Sequence, residues 1–149
     1  MKNILTIAIP VYDYFTGFLR NIEILNRQIS SGNNAVTICI SDDSNNSDVE
    51  NFYSTNFAKN PLYTYIKGPQ KGAVANWNRC IEGNDSIYSL VMHTDEYVKS
   101  EEFIRTLIPI LETLEYDIII LSLKKETKTK SYLHYPFVFK YLFLLFPQL

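Results

Sequence analysis

Residues 35–44 read AVTICISDDS, an apolar run that becomes polar and acidic as soon as it ends. The run Ala35–Ile40 is rich in β-branched residues and has the length of a buried strand. A second run of the same kind, Ile4–Ile9, is ended by Pro10. Strands that are apolar throughout are typical of parallel sheets buried on both faces. These two segments therefore favour a parallel α/β sheet.

Outward from these runs, helical and strand patterns alternate. Apolar residues at helical spacing predict a helix over Phe18–Ile29 that Gly32 closes, and capping-box spacing from Ser47 to Glu50 predicts a second helix. Alternation of this kind predicts a mostly parallel sheet with helices on both faces. The other predicted elements are strands at Leu62–Ile66, Ile87–Met92 and Asp117–Leu123 and helices over Ala73–Ile81 and from Ser100 to about Leu114.

Length and composition exclude several classes of protein. A chain of 149 residues with 46% hydrophobic and 20% charged residues is one folded domain and not a disordered chain. A net charge of -2 provides no basic surplus for nucleic acid. The two cysteines, Cys39 and Cys80, are too few for a disulfide framework and are predicted to be buried free thiols. We therefore expect a cytoplasmic protein.

Polar residues cluster where predicted strands end, and ligands of open α/β sheets bind at that edge. Asp42 and Asp43 follow the second strand, where a carboxylate can accept from a ribose hydroxyl or a base N–H; a plain Asx turn is the alternative. His93–Glu96 follows the fourth strand. Its carboxylate pair suits a divalent cation shared with a diphosphate, and a surface turn with ordinary acids is the alternative.

A third polar group lies around the predicted helix Ala73–Ile81. Lys71 and Gly72 precede it, which brings charge to a helix N-terminus that already favours phosphate. Trp77, within it, is predicted to pack in the core. The chain has neither a G-x-G-x-x-G fingerprint after its first strand nor a P-loop, a zinc-type Cys/His cluster or a G-x-S-x-G elbow.

Four segments in order resemble the nucleotide-sugar half of a family 2 glycosyltransferase with the GT-A fold, over about Leu5 to Phe103. Ile7–Asp13 is similar to the family's opening strand and I-P-x-Y-N turn, with Asp13 in place of the usual Asn. Ile38–Ser44 resembles the V-V-D-D-G-S segment. Gly72, with Asn78-Arg79 six positions on, resembles the G-x-x-x-A-R-N stretch, and Val91–Glu96 stands at the D-x-D-type metal motif.

The resemblance implies a GT-A (Rossmann-like) domain that binds a nucleotide-diphosphate sugar, with a UDP-sugar favoured. It implies metal contacts at Asp95 and Glu96 for Mn²⁺ or Mg²⁺, and sugar or diphosphate contacts at His93 and Thr94, where Thr94 replaces a common Asp. The acceptor it implies is a saccharide or a lipid-linked molecule of surface polysaccharide synthesis. The nucleotide contacts it implies are Pro10, Val11, Tyr12, Asp13, Asp42, Asp43, Lys71, Gly72, Asn78 and Arg79.

The C-terminal part departs from the family. The family's catalytic base comes from an acceptor half, and nothing after Leu123 resembles one. We therefore expect residues 1–123 to form the nucleotide-sugar-binding domain and residues 124–149 to be a remnant of, or substitute for, the acceptor half, in a truncated or reduced relative without an identified catalytic base. The alternative is a non-catalytic nucleotide-sugar-binding or interaction module. A receiver-like domain is disfavoured, because its acids would gather after the first strand.

The final segments are basic and then apolar. Lys124–Lys130 is interpreted as a solvated loop, with a phosphate or lipid contact as the alternative. Tyr135–Leu149 is too short and too interrupted to span a bilayer, which takes about 20 apolar residues. We expect it to be helical from about Phe137, with Lys140 reaching outward, and to cover a partner subunit, the sheet or the inner face of a membrane.

Overall fold

A computed structural model describes residues 3–29 and 35–113. The predicted strand Asp117–Leu123, the helix-closing Gly32 and everything from Lys124 onward lie outside these residues. Within them, four strands alternate with four helices: β1 (Leu5–Val11), α1 (Phe15–Ile29), β2 (Val36–Asp42), α2 (Asp48–Asn56), β3 (Tyr63–Lys67), α3 (Ala73–Ile81), β4 (Tyr88–Val91) and α4 (Phe103–Glu112).

The four strands form one parallel sheet in the order β3-β2-β1-β4. β1 is central, and Ile7 pairs with Ile38 on one side and Leu90 on the other. Because alternate side chains of β1 point to opposite faces, Ile7 packs in the core that contains Phe18 of α1, while Ala8 packs with Cys80 of α3. The predicted α/β Rossmann-like sheet with helices on both faces is confirmed.

Strand β1 runs through Pro10, although the sequence predicted that it would end there. The Ala8 carbonyl accepts a hydrogen bond from the Met92 N–H, so even-numbered residues of β1 turn their backbone groups toward β4. The last pair on that side is Ala8 with Val91. Pro10 has no N–H to donate, but it lies beyond the last residue of β1 that pairs with β4, so no hydrogen bond of the sheet is lost. The strand continues to Val11 by pairing with β2 alone.

Other elements also differ from the prediction in their boundaries or caps. β2 extends into the predicted polar turn, because Ser41 and Asp42 pair with the last two residues of β1 and are buried. Helix α4 begins at Phe103 rather than after Ser100, whose hydroxyl instead accepts from the Glu102 N–H in the preceding turn. Helix α2 begins as predicted after Ser47, but no side-chain capping bond forms there.

The two thiols and helix α3 agree with the prediction, whereas α1 begins at Phe15, three residues before its predicted start. Cys39 and Cys80 are buried and free, as predicted. α3 has the predicted bounds, with left-handed glycines Gly72 and Gly83 just outside them. Among the helices in residues 3–29 and 35–113, none is long and apolar enough to cross a bilayer.

Candidate functional site

The carboxyl ends of all four strands lie at one edge of the sheet, because the strands are parallel. Of the predicted acids, Asp42 is the last residue of β2, while Asp13 and Asp43 follow β1 and β2. The segment His93–Glu96 follows β4. Asp43 and Asp95 therefore come after strands that end at the same edge of the sheet. The roles that the sequence assigns to these residues stay predictions, and the contacts below determine what each can do.

Asp42 is fully buried and its carboxylate is occupied by protein groups. The Ser44 N–H donates to Oδ1 at 3.0 Å and the Tyr65 hydroxyl donates to Oδ2 at 2.9 Å. Lys67 Nζ lies 3.6 Å from Oδ2. Burial, followed by the hydrogen bond to Asp42, raises the pKa of Tyr65, so the phenol remains a donor. Asp42 thus joins β2, β3 and the loop after β2.

Asp43 is 5% exposed, and only part of its carboxylate is occupied. Oδ1 accepts from the Gln70 N–H, and the Asp43 N–H donates to the Val11 carbonyl at 2.9 Å. The loop that carries Gln70 approaches so closely that a Cβ on Gly68 would lie 2.5 Å from Oδ1. Among the described residues, no hydrogen-bond donor reaches the second oxygen, Oδ2. Asp43 therefore keeps an acceptor for a ligand.

Asn76 connects the ends of β1 and β2 at this edge of the sheet. The sequence did not predict Asn76 as a residue of the site. Its side chain is 3% exposed. Nδ2 donates to the Val11 carbonyl at 3.1 Å and to the Ser41 carbonyl at 3.3 Å, and Oδ1 accepts from the Ser41 hydroxyl at 2.6 Å. One amide thereby joins α3 to the ends of β1 and β2. The available signal was a polar residue one helical turn before Cys80, on the buried face of the helix.

The turn after β1 is joined to the loop after β2 through Asp13. Its backbone is left-handed, with φ 49°, a conformation that Asp and Asn tolerate better than most residues. Its N–H donates to Ser44 Oγ at 3.0 Å, and its carboxylate accepts from the backbone and side chain of Asn45 at 3.0 and 2.9 Å. The preceding Tyr12 is 63% exposed beside this turn.

The predicted group around α3 is only partly assembled. Gly72 has φ 90° immediately before the helix, which explains why glycine is needed there, and Lys71 beside it is exposed. Asn78 and Arg79 are also exposed, and Arg79 Nη1 lies 3.8 Å from Glu82 Oε2. The nucleotide contacts that the resemblance implies for Asn78 and Arg79 stay predictions.

The segment after β4 meets α3 through Trp77 instead. The Trp77 and His93 rings pack edge to face, with centroids 4.8 Å apart and an interplanar angle of 70°. Both side chains are half-buried, so the prediction that Trp77 belongs to the core is only partly right. Burial lowers the pKa of His93, and the nearby charge of Asp95 opposes that shift. Thr94, the next residue, is buried.

Asp95 and Glu96 are the two residues predicted to hold a cation, and their environments differ. Asp95 is exposed, whereas Glu96 Oε2 is buried with no hydrogen-bond partner in the described structure. Burial raises the pKa of Glu96, and the charge of Asp95 adds to the shift, so a cation here would relieve both costs. Within residues 3–29 and 35–113, no three His, Cys, Asp or Glu side chains cluster as a metal site. Mg²⁺-type sites often need only one or two carboxylates plus phosphate oxygens.

Comparisons with known proteins identify a fold. No protein-family model matches the chain, and no curated protein matches it in sequence. Its structure is similar to the crystal structure of S. aureus TarS 1–349, a glycosyltransferase, with a TM-score of 0.64 and 12% identity over 81% of this chain and 36% of that one. It is similar to the UDP complex of TarS 1–349 with a TM-score of 0.65 and 13% identity over 86% of this chain and 38% of that one. The chain thus spans little more than a third of those structures and has a glycosyltransferase-like fold.

Proposed function

We propose that this chain is the donor-binding part of a family 2 type glycosyltransferase and that its ligand is a nucleotide-diphosphate sugar, with a UDP-sugar as the first choice. The observation that carries the proposal is Asp43, a nearly buried carboxylate with one oxygen left over at the edge where ligands of such sheets bind. The likeness to TarS, which has been crystallised with UDP, supports the choice of nucleotide.

The nucleoside would lie against the loops after β1 and β2. Asp43 Oδ2 would accept a hydrogen bond from the ribose or the base, and Asp42, whose oxygens are already engaged, would keep the loop in shape. Asp13 fixes the turn after β1, which leaves Tyr12 exposed beside the nucleoside. Pro10 and Val11 end β1 beneath it.

The diphosphate would lie near Lys71 and Gly72, at the N-terminus of α3, where backbone N–H groups and the lysine both favour negative charge. Asp95 and Glu96 would hold Mn²⁺ or Mg²⁺. The bound cation would neutralise charge that develops on the leaving diphosphate. His93 and Thr94 precede these acids and would contact the sugar or the diphosphate.

The transfer itself would deliver the sugar to a saccharide or lipid-linked acceptor, as in surface polysaccharide synthesis, at the cytoplasmic face of a membrane. The residues discussed above include no assigned catalytic base. Binding and transfer therefore need separate measurements, because the alternative function is a module that binds the nucleotide sugar without transferring it.

Isothermal titration with UDP and a panel of UDP-sugars, with and without Mn²⁺, tests donor binding. Asp43→Asn should weaken UDP binding by about tenfold or more, since a hydrogen bond to a charged group contributes roughly 1.5–3 kcal/mol. Asp85→Asn is the matched control, because Asp85 is an exposed acid before β4, at the opposite edge of the sheet. A wild-type chain that binds neither UDP nor any UDP-sugar contradicts the proposal.

A second pair of measurements separates the metal from the chemistry. Asp95→Asn should weaken UDP binding in Mn²⁺ much more than in EDTA, because the diphosphate and the acids repel each other without a cation between them. Equal affinity in both buffers for both proteins excludes a metal bridge at Asp95. UDP release from a UDP-sugar in the presence of candidate acceptors reports transfer, and binding without release favours the non-catalytic alternative.

A further inference from the structure

The segment between β4 and α4 is held by side chains of α1 rather than by a neighbouring strand. Asn21 Nδ2 donates to the His93 carbonyl at 3.1 Å, and Arg20 Nη2 approaches the Thr94 carbonyl at 3.4 Å. Further along, Gln28 Nε2 donates to the Ser100 carbonyl at 3.0 Å. Asn21 and Gln28 are seven residues apart, two helical turns, and so lie on one face of α1.

Buried polar residues such as Asn21 and Gln28 are uncommon on the side of a helix that packs against the core. Asn21 is 1% exposed, and its Oδ1 has no hydrogen-bond partner within the described residues. Arg20 Nε is likewise buried without a partner there. Buried polar atoms without partners cost free energy, whereas a leucine at position 21 would bury apolar surface at no such cost. These polar side chains do not stabilise α1 itself. Their presence is better explained by the hydrogen bonds that they donate to the segment between β4 and α4.

Arg20 and Asn21 hold the segment on either side of the two acids. Asn21 fixes the carbonyl of His93 and Arg20 that of Thr94, directly before Asp95. The Arg20 guanidinium also lies over the ring of Tyr97, directly after Glu96, at 4.2 Å from the ring centroid. The positions of the two carboxylates thus depend on α1, an element that itself supplies no acid to the site.

We infer that Asn21 and Arg20 are positioning residues for the Asp95–Glu96 pair and thereby set the affinity of the domain for a cation-bound diphosphate. The inference rests on the proposed function, since it assigns to α1 the geometry of the cation ligands proposed above. Loss of a group that orients metal ligands typically weakens metal binding by about 10- to 100-fold. Gln28 contacts the same segment far from the acids and has no such role.

Isothermal titration of the full chain with UDP, in Mn²⁺ and in EDTA, tests the inference. The quantity compared is the UDP affinity in Mn²⁺ divided by the UDP affinity in EDTA. Asn21→Ala and Arg20→Met should each lower that ratio by about tenfold while the affinity in EDTA stays within twofold of wild type. Methionine keeps an apolar stem at position 20, so Arg20→Met should fold. The inference can therefore still be tested if Asn21→Ala does not fold. Gln28→Ala, which also removes a buried amide of α1, should keep the wild-type ratio. Unchanged ratios in both test variants, or an equal loss in Gln28→Ala, overturn the inference.

The fluorescence of Trp77 provides a readout that does not depend on ligand binding. Trp77 is the only tryptophan of the chain and packs on His93, whose carbonyl Asn21 holds. Acrylamide should quench Trp77 more strongly in Asn21→Ala and Arg20→Met than in wild type or Gln28→Ala. If wild type binds UDP without any effect of Mn²⁺, the proposed metal fails, and with it the effect of these two residues on cation affinity. Quenching still tests whether Asn21 and Arg20 position the segment, and equal quenching in all four proteins overturns that positioning role.

Discussion

Replacing Asn76 with alanine removes the amide that joins α3 to the ends of β1 and β2. The side chain is 3% exposed, so water cannot readily replace its hydrogen bonds. The change deletes two donors, to the carbonyls of Val11 and Ser41, and the acceptor of the Ser41 hydroxyl. The Val11 carbonyl keeps one partner, because it also accepts from the Asp43 N–H at 2.9 Å.

The expected loss of stability follows from these bonds. Each of the three contributes about 1 kcal/mol net, and a buried group left without a partner costs about 1–3 kcal/mol more. The three bonds alone, at about 1 kcal/mol each, predict that Asn76→Ala lowers the free energy of unfolding by at least about 3 kcal/mol. A Ser41 hydroxyl left without its acceptor adds to that loss. For a domain of this size, 1 kcal/mol corresponds to roughly 2–4 °C, so Tm should fall by about 6–12 °C.

Urea unfolding followed by circular dichroism measures the effect, with Asn78→Ala as the matched control. Asn78 lies two residues further along the same helix and is exposed, so both variants change helix propensity alike and differ in the buried hydrogen bonds. Asn78→Ala should be neutral or slightly stabilising. Stabilities of the two variants within 1 kcal/mol of each other would refute the reasoning that this amide fastens α3 to the sheet.

Three further predictions concern other parts of the fold. Gly68→Ala places a Cβ 2.5 Å from Asp43 Oδ1, and it should cost about 1–3 kcal/mol in urea unfolding and weaken UDP binding; wild-type stability would contradict it. Burial raises the pKa of Tyr63 to about 12, so stability present below pH 10 should fall by up to roughly 3 kcal/mol as the pH rises from 10 to 12. Tyr63→Phe should lack that loss, and identical pH profiles would exclude this cause. Cys39 and Cys80 are buried and should react with a thiol reagent only after unfolding; rapid reaction of the native chain would disprove their burial.

Much of the fold could be predicted because local patterns determine it. The bounds of α3 agree with the prediction since glycines bracket an amphipathic stretch, and the buried strands β1 and β2 are apolar runs. The errors arose where pairing overrides local preference. Pro10 stays in β1 because β4 is too short to need its N–H, and Asp42 stays in β2 because its carboxylate finds partners on β3. Neither the length of β4 nor the position of β3 can be read from the residues themselves.

The candidate site was only partly predictable for the same reason. Its acids are visible in the sequence because they follow strands. The residues that hold them, Asn76, Gly68 and Asn21, act through contacts with segments distant in the chain. The local sequence shows at most that Asn76 is a polar residue on a buried helix face, and it does not show which segments these residues contact. Their functions depend on which segments cross the carboxyl edge of the sheet.

The position of β1 in the sheet has a consequence for the synthesis of the chain. The residues that pair with β1 on one side end at Asp42, but those on its other side, where Leu5 pairs with Tyr88, lie about 50 residues later in the chain. Until those later residues are made, a seven-residue strand that is entirely buried in the native fold offers an open edge to neighbouring nascent chains. Pro10 lies on that side of β1 and removes one backbone donor from it, and a proline at such a position makes pairing with another chain less favourable.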